Sequence, residues 1–307
     1  MLTNNVPTIS GDGIFFKFRE IDYSDIKKSK EVDYVRQLKN NAIDGFVVKD
    51  VLKPDELKSV KDYLETVSDE EKLNFPAGKI YPAVFSTING ASDGFKKYYD
   101  SLNSYNNRVA ADSPLNLLTE RLAEFFKNTA NSYDTRVPRN RLNNQLVAAS
   151  TFRFFLPGAG NLHVHCGHSH QPKDNGAHLS KTVSESEAKF YDILPTDFDY
   201  HPQLSYFLVL QNSEEGGELT VYDLLWDERI TKDYPENNEF LIDPNGQRLY
   251  LKDLRAFAIK PKAGDVLVFS GGPIWHRVEE VKGNIPRITF GGFINFTKDD
   301  KAIYYWS

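Results

Sequence analysis

Four of the seven histidines in this 307-residue chain lie within the eight residues 163–170. Such a run occurs either in a polar loop or in a metal site. Neutral imidazole is a good ligand for iron and for other divalent transition metals. The cluster therefore predicts a metal site if a further ligand comes from elsewhere in the chain; its members are His163, His165, His168 and His170.

His276 is the histidine that can complete such a site. It follows a strand-like apolar run at Asp265–Phe269, and opposing strands of a β-barrel can bring two histidines together at its mouth. Arg287 stands eleven positions after His276 and opens another strand-like run. A basic residue there can form a bidentate pair with the far carboxylate of a 2-oxo acid chelated to the metal, the alternative being a surface ion pair.

The third ligand depends on which histidine of the cluster comes first. Alternation along a strand puts residues i and i+2 on one face, so iron sites of this kind carry a carboxylate two positions after the first histidine. If His163 is first, His165 is second and the site has three histidines with His276. If His165 is first, the position belongs to Gly167, which has no side chain to offer. A halide can then supply the missing negative charge, as a radical halogenase requires.

The elements that must position these residues change in character near residue 150. Apolar residues recur at helical spacing after Pro54 and again after Ser113-Pro114, where serine can cap the helix and proline can occupy its first turn. From Thr151 onward, short β-branched and aromatic runs are separated by turn residues. We predict strands at Thr151–Leu156, Leu162–Cys166, Leu204–Gln211, Glu218–Leu224, Ala256–Lys260, Asp265–Phe269, His276–Val281 and Arg287–Phe296.

This pattern predicts one domain over residues 1–307. A mostly helical scaffold at 1–150 braces a β-barrel or sandwich at 151–307. The polar segment 168–200 interrupts the strands and is interpreted as a lid or insertion, with a capping box from Ser184 to Glu187.

Composition and charge argue against several classes of protein. Hydrophobic residues make up 40% and charged residues 26%, which is typical of a folded globular chain. The net charge of -6 argues against nucleic acid as a partner, and no window approaches the length of a membrane span. The single cysteine, Cys166, fits a reducing compartment in which Fe(II) persists, so a cytoplasmic protein is predicted. Strand alternation points Cys166 away from His165 and into the core.

Several segments resemble the hapalindole-type indole alkaloid halogenases of the welwitindolinone and ambiguine group, which are free-standing iron(II) and 2-oxoglutarate enzymes acting on aliphatic carbons. The resemblance runs from about Asp44 to the last residue, diverges between about Gly167 and Tyr200, and is densest in the C-terminal third. The similar segments are Asp44–Val48, Gln203–Phe207, Gly216–Tyr222, His276–Val278, Gly283–Arg287, Gly291–Phe293 and Ile303–Ser307.

The resemblance implies a role for each matching residue. The His-x-Gly of the family falls on His165-Cys166-Gly167, which makes His165 and His276 the iron ligands and Gly167 the halide position. Arg287 matches the arginine that binds 2-oxoglutarate, and Ser205 matches a serine near the iron, which implies a catalytic role. A looser alignment puts three residues in the substrate pocket, namely Ala77, Val84 and Leu162.

The resemblance also implies the fold and the reaction. The fold class is mixed α+β with a mainly β core, a double-stranded β-helix (jelly-roll, cupin-like) barrel braced by N-terminal helices. The reaction replaces an unactivated aliphatic C–H bond by C–Cl or C–Br on a free-standing, largely apolar small molecule. Iron(II), 2-oxoglutarate, O2 and chloride or bromide take part, and succinate and CO2 are formed.

Three alternatives remain open at this point. The same site could hydroxylate with water in the halide position, or His163, His165 and His276 could form a three-histidine dioxygenase that needs no co-substrate. A non-catalytic cupin-like binder is the third, although the glutamate expected after His165 is absent. His163 departs from the small apolar residue of the family, and His168 and His170 have no counterpart there. These histidines could reshape the pocket or bind substrate; for His168 and His170 the alternative is that they are solvent-facing polar residues of a loop.

Overall fold

The α-helices of the described chain all precede residue 130. The computed structural model describes residues 16–28, 31–85, 93–109, 112–170, 172–173, 178–179, 190–227, 229–230 and 239–307. Within these ranges the α-helices are α1 (Tyr23–Lys28), α2 (Tyr34–Lys39), α3 (Pro54–Leu64), α4 (Gly94–Arg108) and α5 (Pro114–Thr129). None of them combines the length and the apolar character that crossing a bilayer requires.

Two helices begin where the sequence predicts. The Ser113 hydroxyl accepts a hydrogen bond from the backbone N–H of Leu115 at 3.2 Å, and Pro114 occupies the first turn of α5. Helix α3 begins at Pro54. Helix α4 was not predicted, because two of its four buried residues are tyrosines, Tyr98 and Tyr105, and aliphatic residues at helical spacing are few.

The strands form two main sheets. The strands are β1 (Phe18–Asp22), β2 (Gly45–Lys49), β3 (Leu73–Phe75), β4 (Gly78–Tyr81), β5 (Asp134–Arg136), β6 (Thr151–Phe155), β7 (Leu162–His165), β8 (Pro172–Lys173), β9 (His178–Leu179), β10 (Phe198–Gln211), β11 (Glu215–Gly216), β12 (Leu219–Leu225), β13 (Phe240–Ile242), β14 (Arg248–Tyr250), β15 (Ala256–Ile259), β16 (Val266–Phe269), β17 (Ile274–Val278), β18 (Val281–Lys282), β19 (Arg287–Thr297) and β20 (Ala302–Trp306). Among the described residues, ten strands make the major sheet, whose central order is β2-β16-β10-β19-β6, and four make the minor sheet in the order β15-β12-β17-β7.

An apolar core joins the two main sheets face to face. Phe155 and Leu267 of the major sheet belong to the same buried cluster as Val221 and Val278 of the minor sheet. On its other face the major sheet packs against helices, with the Phe126 ring 4.9 Å from that of Tyr206. Burial of both sheet faces gives the layered arrangement of a jelly-roll braced by helices, which confirms the predicted mixed α+β fold class. The described strands form separate sheets and not one continuous closed barrel.

The first 150 residues contribute more than helices. Five short strands, β1 to β5, come from this part of the chain and join the major sheet. Their shortness explains why the helical spacing around them dominated the sequence pattern. Within the predicted lid at 168–200, residues 171, 174–177 and 180–189 lie outside the described residues, and the capping box is among them.

Candidate active site

His165 and His276 face each other across two neighbouring strands of the minor sheet. Strands β7 and β17 are antiparallel, and these two residues are direct partners in the pairing. Their ring centroids are 4.3 Å apart, and the Phe269 ring packs edge-on against His276 at 5.0 Å. His276 is buried and His165 is half-buried. Two imidazoles at this spacing can bind one metal ion.

Both rings are oriented through the same nitrogen. Nδ1–H of His165 donates to the carbonyl oxygen of His163 at 2.6 Å, and Nδ1–H of His276 donates to that of Ile274 at 2.8 Å. A proton on Nδ1 leaves the lone pair on Nε2, which is the tautomer that a metal ligand needs. The local backbone of each strand therefore prepares both histidines for binding through Nε2.

A β-bulge brings Leu162 to the same face as His165. His276 pairs with His165, and Val278 pairs with Leu162. The two partners are three positions apart on β7 but two positions apart on β17, so β7 contains one extra residue. Simple alternation would have put Leu162 and His165 on opposite faces. Leu162 instead packs against the apolar core between the sheets, which also contains Ala77.

The three predicted pocket residues do not share one cluster. Ala77 and Leu162 belong to the core between the sheets, whereas Val84 is buried in the larger cluster on the helical side. The structure therefore brings two of them together and assigns the third to a neighbouring region.

The three-histidine alternative finds no support in the geometry. His163, His165 and His276 are all described, yet no group of three or more His, Cys, Asp or Glu side chains gathers as a metal site among the described residues. The backbone of His163 orients His165.

Gly167 begins a short 3-10 helix directly after β7. Its N–H donates to the carbonyl oxygen of Gly271 at 2.8 Å. A Cβ atom added to Gly167 would lie 2.0 Å from Oε1 of Gln203 and 3.1 Å from the Cα of Gly272. Its backbone is outside the left-handed region, so a larger side chain at this position is opposed by the neighbouring Gln203 amide and not by backbone conformation.

Ser205 lies beside the same backbone loop. It is on β10, between Phe269 of β16 and Phe293 of β19 in the strand pairing, and is 9% exposed. A Cβ atom added to Gly271 would lie 2.2 Å from the Ser205 hydroxyl oxygen. Since Gly271 also accepts the Gly167 N–H, the serine and the predicted halide position are linked through one residue.

Arg287 is a buried cation at the start of β19. It is 4% exposed, and its guanidinium carbon lies 4.9 Å from the ring centre of Phe207 and 5.3 Å from that of Phe155. Its Nη2 atom has no hydrogen-bond partner in the described part of the chain. Because a buried guanidinium is costly without an acceptor, the site is suited to an anion supplied from outside. The predicted surface ion pair is therefore the wrong alternative for Arg287.

A second arginine, Arg153, lies two residues before Phe155 on β6. In the pairing of β6 with β19 it is opposite Thr289, two residues beyond Arg287. Burial lowers the pKa of both guanidinium groups to about 10. At Arg287 the charge of Glu218 opposes this shift and the charge of Arg153 adds to it. Sequence reasoning missed Arg153, although one charged residue within an aromatic strand was a usable indicator.

His168 is not the solvent-facing loop residue that one alternative predicted. Its ring lies 4.5 Å from that of His201 and 5.5 Å from that of Trp226. Burial, with a smaller contribution from His201, lowers the pKa of His168 to about 3, so this imidazole is neutral. The side chain of His170 lies outside the described residues.

Cys166 points away from the histidine pair, as alternation predicts. It is fully buried with Val164 and Trp275 on the other side of the minor sheet. Burial raises the pKa of its thiol to about 12, which keeps the sulfur protonated at neutral pH.

We therefore expect the Cys166 thiol of the native protein to react with a thiol reagent roughly a thousandfold more slowly than a free cysteine at pH 8, since the thiolate is the nucleophile. Reaction with Ellman's reagent, followed in buffer and in denaturant, measures this difference. One thiol should react promptly after unfolding. Prompt reaction in buffer would contradict the buried position.

A protein-family model described as "Carrier-protein-independent halogenase WelO5" matches residues 15–307. No curated protein matches the chain. Solved structures similar to it include an N-substituted L-amino acid dioxygenase in complex with alpha-KG from Burkholderia ambifaria AMMD, with 16% identity, a TM-score of 0.46 and coverage of 88% of this chain and 90% of that chain. HygX from Streptomyces hygroscopicus with iron bound has 14% identity, a TM-score of 0.43 and coverage of 91% and 96%. Similarity at this level does not carry chemistry from one protein to another.

Proposed function

The chain belongs to the family of carrier-protein-independent halogenases, and on this premise we propose that it replaces an unactivated aliphatic C–H bond of a small molecule by C–Cl or C–Br. Its substrate is free and not tethered to a carrier protein. The reaction uses iron(II), 2-oxoglutarate, O2 and a halide, and it forms succinate and CO2. The observation that carries the proposal is the glycine two positions after His165, where a hydroxylase of this type would present a carboxylate.

His165 and His276 are the proposed iron ligands. Both rings donate through Nδ1 to a backbone carbonyl, which leaves the lone pair on Nε2, the atom through which each histidine would hold the iron. Bound iron(II) with 2-oxoglutarate and O2 supplies the oxidising power that removes a hydrogen atom from the substrate carbon. The two strands hold the imidazoles in place before the metal arrives, which lowers the cost of ordering the site.

Arg287 is the proposed partner of the far carboxylate of 2-oxoglutarate. Its orphaned Nη2 and the aromatic rings on either side favour a planar anion that accepts two hydrogen bonds. Arg153 adds a second positive charge to the same region. Two arginines whose charges repel each other are stabilised by a doubly charged anion such as 2-oxoglutarate more than by a neutral ligand.

Ser205 and the apolar pocket have proposed roles in directing the reaction. The Ser205 hydroxyl can donate a hydrogen bond toward the reacting site beside Gly271. Ala77 and Leu162 favour a largely apolar substrate. Chlorination in preference to hydroxylation then requires that the pocket hold the reacting carbon closer to the halide than to the oxygen that would form a hydroxyl group. Cytoplasmic localisation stays a prediction from the single cysteine.

A chloride titration tests this function. We expect the visible absorption of the anaerobic Fe(II)–2-oxoglutarate complex to change with chloride and to saturate, because chloride enters the coordination sphere. Turnover of an apolar substrate that couples to 2-oxoglutarate decarboxylation should then give chlorinated product, and brominated product when bromide replaces chloride. A spectrum that ignores chloride, together with hydroxylated product alone, would establish the hydroxylase instead.

A further inference from the structure

Gln203 has a buried polar atom that the fold itself does not satisfy. It lies on β10 two residues before Ser205, so the two side chains share a strand face. Gln203 is 2% exposed, and its Oε1 atom has no hydrogen-bond partner among the described residues. A buried amide oxygen without a donor is destabilising, and most buried polar side-chain atoms in proteins are paired.

The Gln203 amide occupies the space from which a carboxylate at position 167 would grow. Its Oε1 lies 2.0 Å and its Cδ 3.1 Å from the place of a Cβ atom on Gly167. A side chain at position 167 would have to displace this amide. The group that replaces the missing carboxylate must therefore be a close neighbour of Gln203.

The backbone holds Gln203 firmly in this place. Its carbonyl oxygen accepts from the N–H of Gly272 at 3.0 Å, and its N–H donates to Nε2 of His168 at 3.5 Å. The N–H of His168 in turn donates to the carbonyl oxygen of Gly272 at 3.0 Å. These bonds tie the backbone of β10 to the segment that carries Gly167, so the buried side chain of Gln203 lies against this position.

A terminal amide can present two opposite chemistries at one place. A half turn about the Cγ–Cδ bond exchanges the acceptor oxygen for an NH2 group that donates. A halide ion accepts hydrogen bonds and never donates them, so it stabilises the orientation in which NH2 points toward Gly167. A leucine or methionine would fill the same volume without burying an unpaired oxygen, so packing alone does not account for glutamine.

We propose that Gln203 is a halide-positioning residue, which donates an N–H hydrogen bond to the chloride or bromide that takes the place of the carboxylate beside Gly167. This inference rests on the proposed halogenase function and adds the protein group that recognises the anion. The bond holds the halide on the Gly167 side of the site. It stabilises an anion in that position more than it stabilises water, because hydrogen bonds to charged partners are stronger than those to neutral ones.

The test measures chloride affinity and not turnover. The anaerobic Fe(II)–2-oxoglutarate complexes of wild type, Gln203→Leu, Gln203→Glu and Gln211→Leu are titrated with sodium chloride and followed by visible absorption. Loss of one hydrogen bond to an anion should raise the chloride Kd of Gln203→Leu roughly ten- to hundredfold. Gln203→Glu should not bind chloride at accessible concentrations, since a carboxylate repels the anion or replaces it.

Gln211→Leu is the matched control. Gln211 lies on the same strand, but its amide donates to the carbonyl oxygen of Pro286 at 2.9 Å and is thus already used within the fold. Its removal should leave the chloride Kd within about twofold of wild type. Thermal unfolding without ligands adds a second readout: Gln203→Leu should unfold at or above the wild-type temperature, because it removes an orphaned acceptor, whereas Gln211→Leu should unfold below it.

The outcomes separate the two claims. If wild type responds to chloride and Gln203→Leu binds it equally tightly, Gln203 does not position the halide although the halogenase function stands. If wild type itself shows no response to chloride or bromide, the halogenase function is wrong and the role of Gln203 is overturned with it. Weakened chloride binding in Gln203→Leu with an unchanged Gln211→Leu supports the inference.

Discussion

Replacing Gly167 by aspartate is expected to reduce chlorination to about 1% of wild type or less and to produce hydroxylated product in its place. An aspartate at this position is tethered beside the metal, and well-oriented intramolecular groups reach effective concentrations of about 10⁵ M, far above any halide in solution. The carboxylate therefore excludes the halide from the position that Gly167 leaves open. The backbone itself permits the change, because Gly167 does not require a left-handed conformation.

The structure adds a condition that the sequence did not indicate. The Cβ atom of the new aspartate would lie 2.0 Å from Oε1 of Gln203, so the glutamine side chain must move aside. Overpacking of this kind typically costs about 1–3 kcal/mol. We therefore expect the single variant to hydroxylate poorly and the double variant Gly167→Asp/Gln203→Ala to hydroxylate faster, because it makes room for the carboxylate.

Product analysis by mass spectrometry, with 2-oxoglutarate consumption measured in parallel, distinguishes these effects. Gly167→Ala is the matched control, since it adds the same Cβ atom without a carboxylate. It should turn over more slowly but keep chlorinated product as the main outcome. Undiminished chlorination by Gly167→Asp would mean that the halide does not bind beside Gly167, and the assignment of the halide position two residues after His165 would be wrong.

The histidine pair and the core strands were accessible from the sequence for a physical reason. Strand alternation and turn residues are local properties, so β6, β16, β17 and β19 could be predicted within a few residues, whereas β10 begins at Phe198 and not at the predicted Leu204. The strand pattern left either His163 or His165 as the first ligand, and the resemblance to the halogenase family selected His165 as the partner of His276. Their direct pairing depends on tertiary structure, but it requires only that the two short strands that carry them be neighbours in the sheet.

Other parts of the site depend on contacts between distant segments. The bulge in β7, which turns Leu162 to the face of His165, is set by pairing with β17 and has no local pattern. Gln203 is an ordinary strand residue until the fold puts its amide against Gly167. Such features depend on which segments meet, and periodicity along a single strand does not contain that information.

Replacing Arg287 by methionine is expected to weaken 2-oxoglutarate binding by roughly two to four orders of magnitude. Removing one partner of a buried ion pair costs about 3–5 kcal/mol, because the other charge loses its acceptor or donor. The carboxylate would then face the rings of Phe155 and Phe207 and the remaining charge of Arg153. Arg277→Met is the matched control, since that arginine pairs with Glu279 at 2.8 Å and its strand position alternates away from His276.

Thermal unfolding gives a readout that is independent of turnover. We expect the stability of Arg287→Met relative to wild type to differ with and without the co-substrate. Without 2-oxoglutarate, Arg287→Met should be at least as stable as wild type, because it removes a buried cation whose Nη2 is unsatisfied within the described residues. With metal and 2-oxoglutarate at a hundred times its wild-type Kd, binding stabilises wild type by about 2.7 kcal/mol, whereas the variant should gain almost nothing. A variant that is strongly destabilised alone, yet still stabilised by 2-oxoglutarate as much as wild type, would show that Arg287 serves the fold and that the co-substrate carboxylate binds elsewhere.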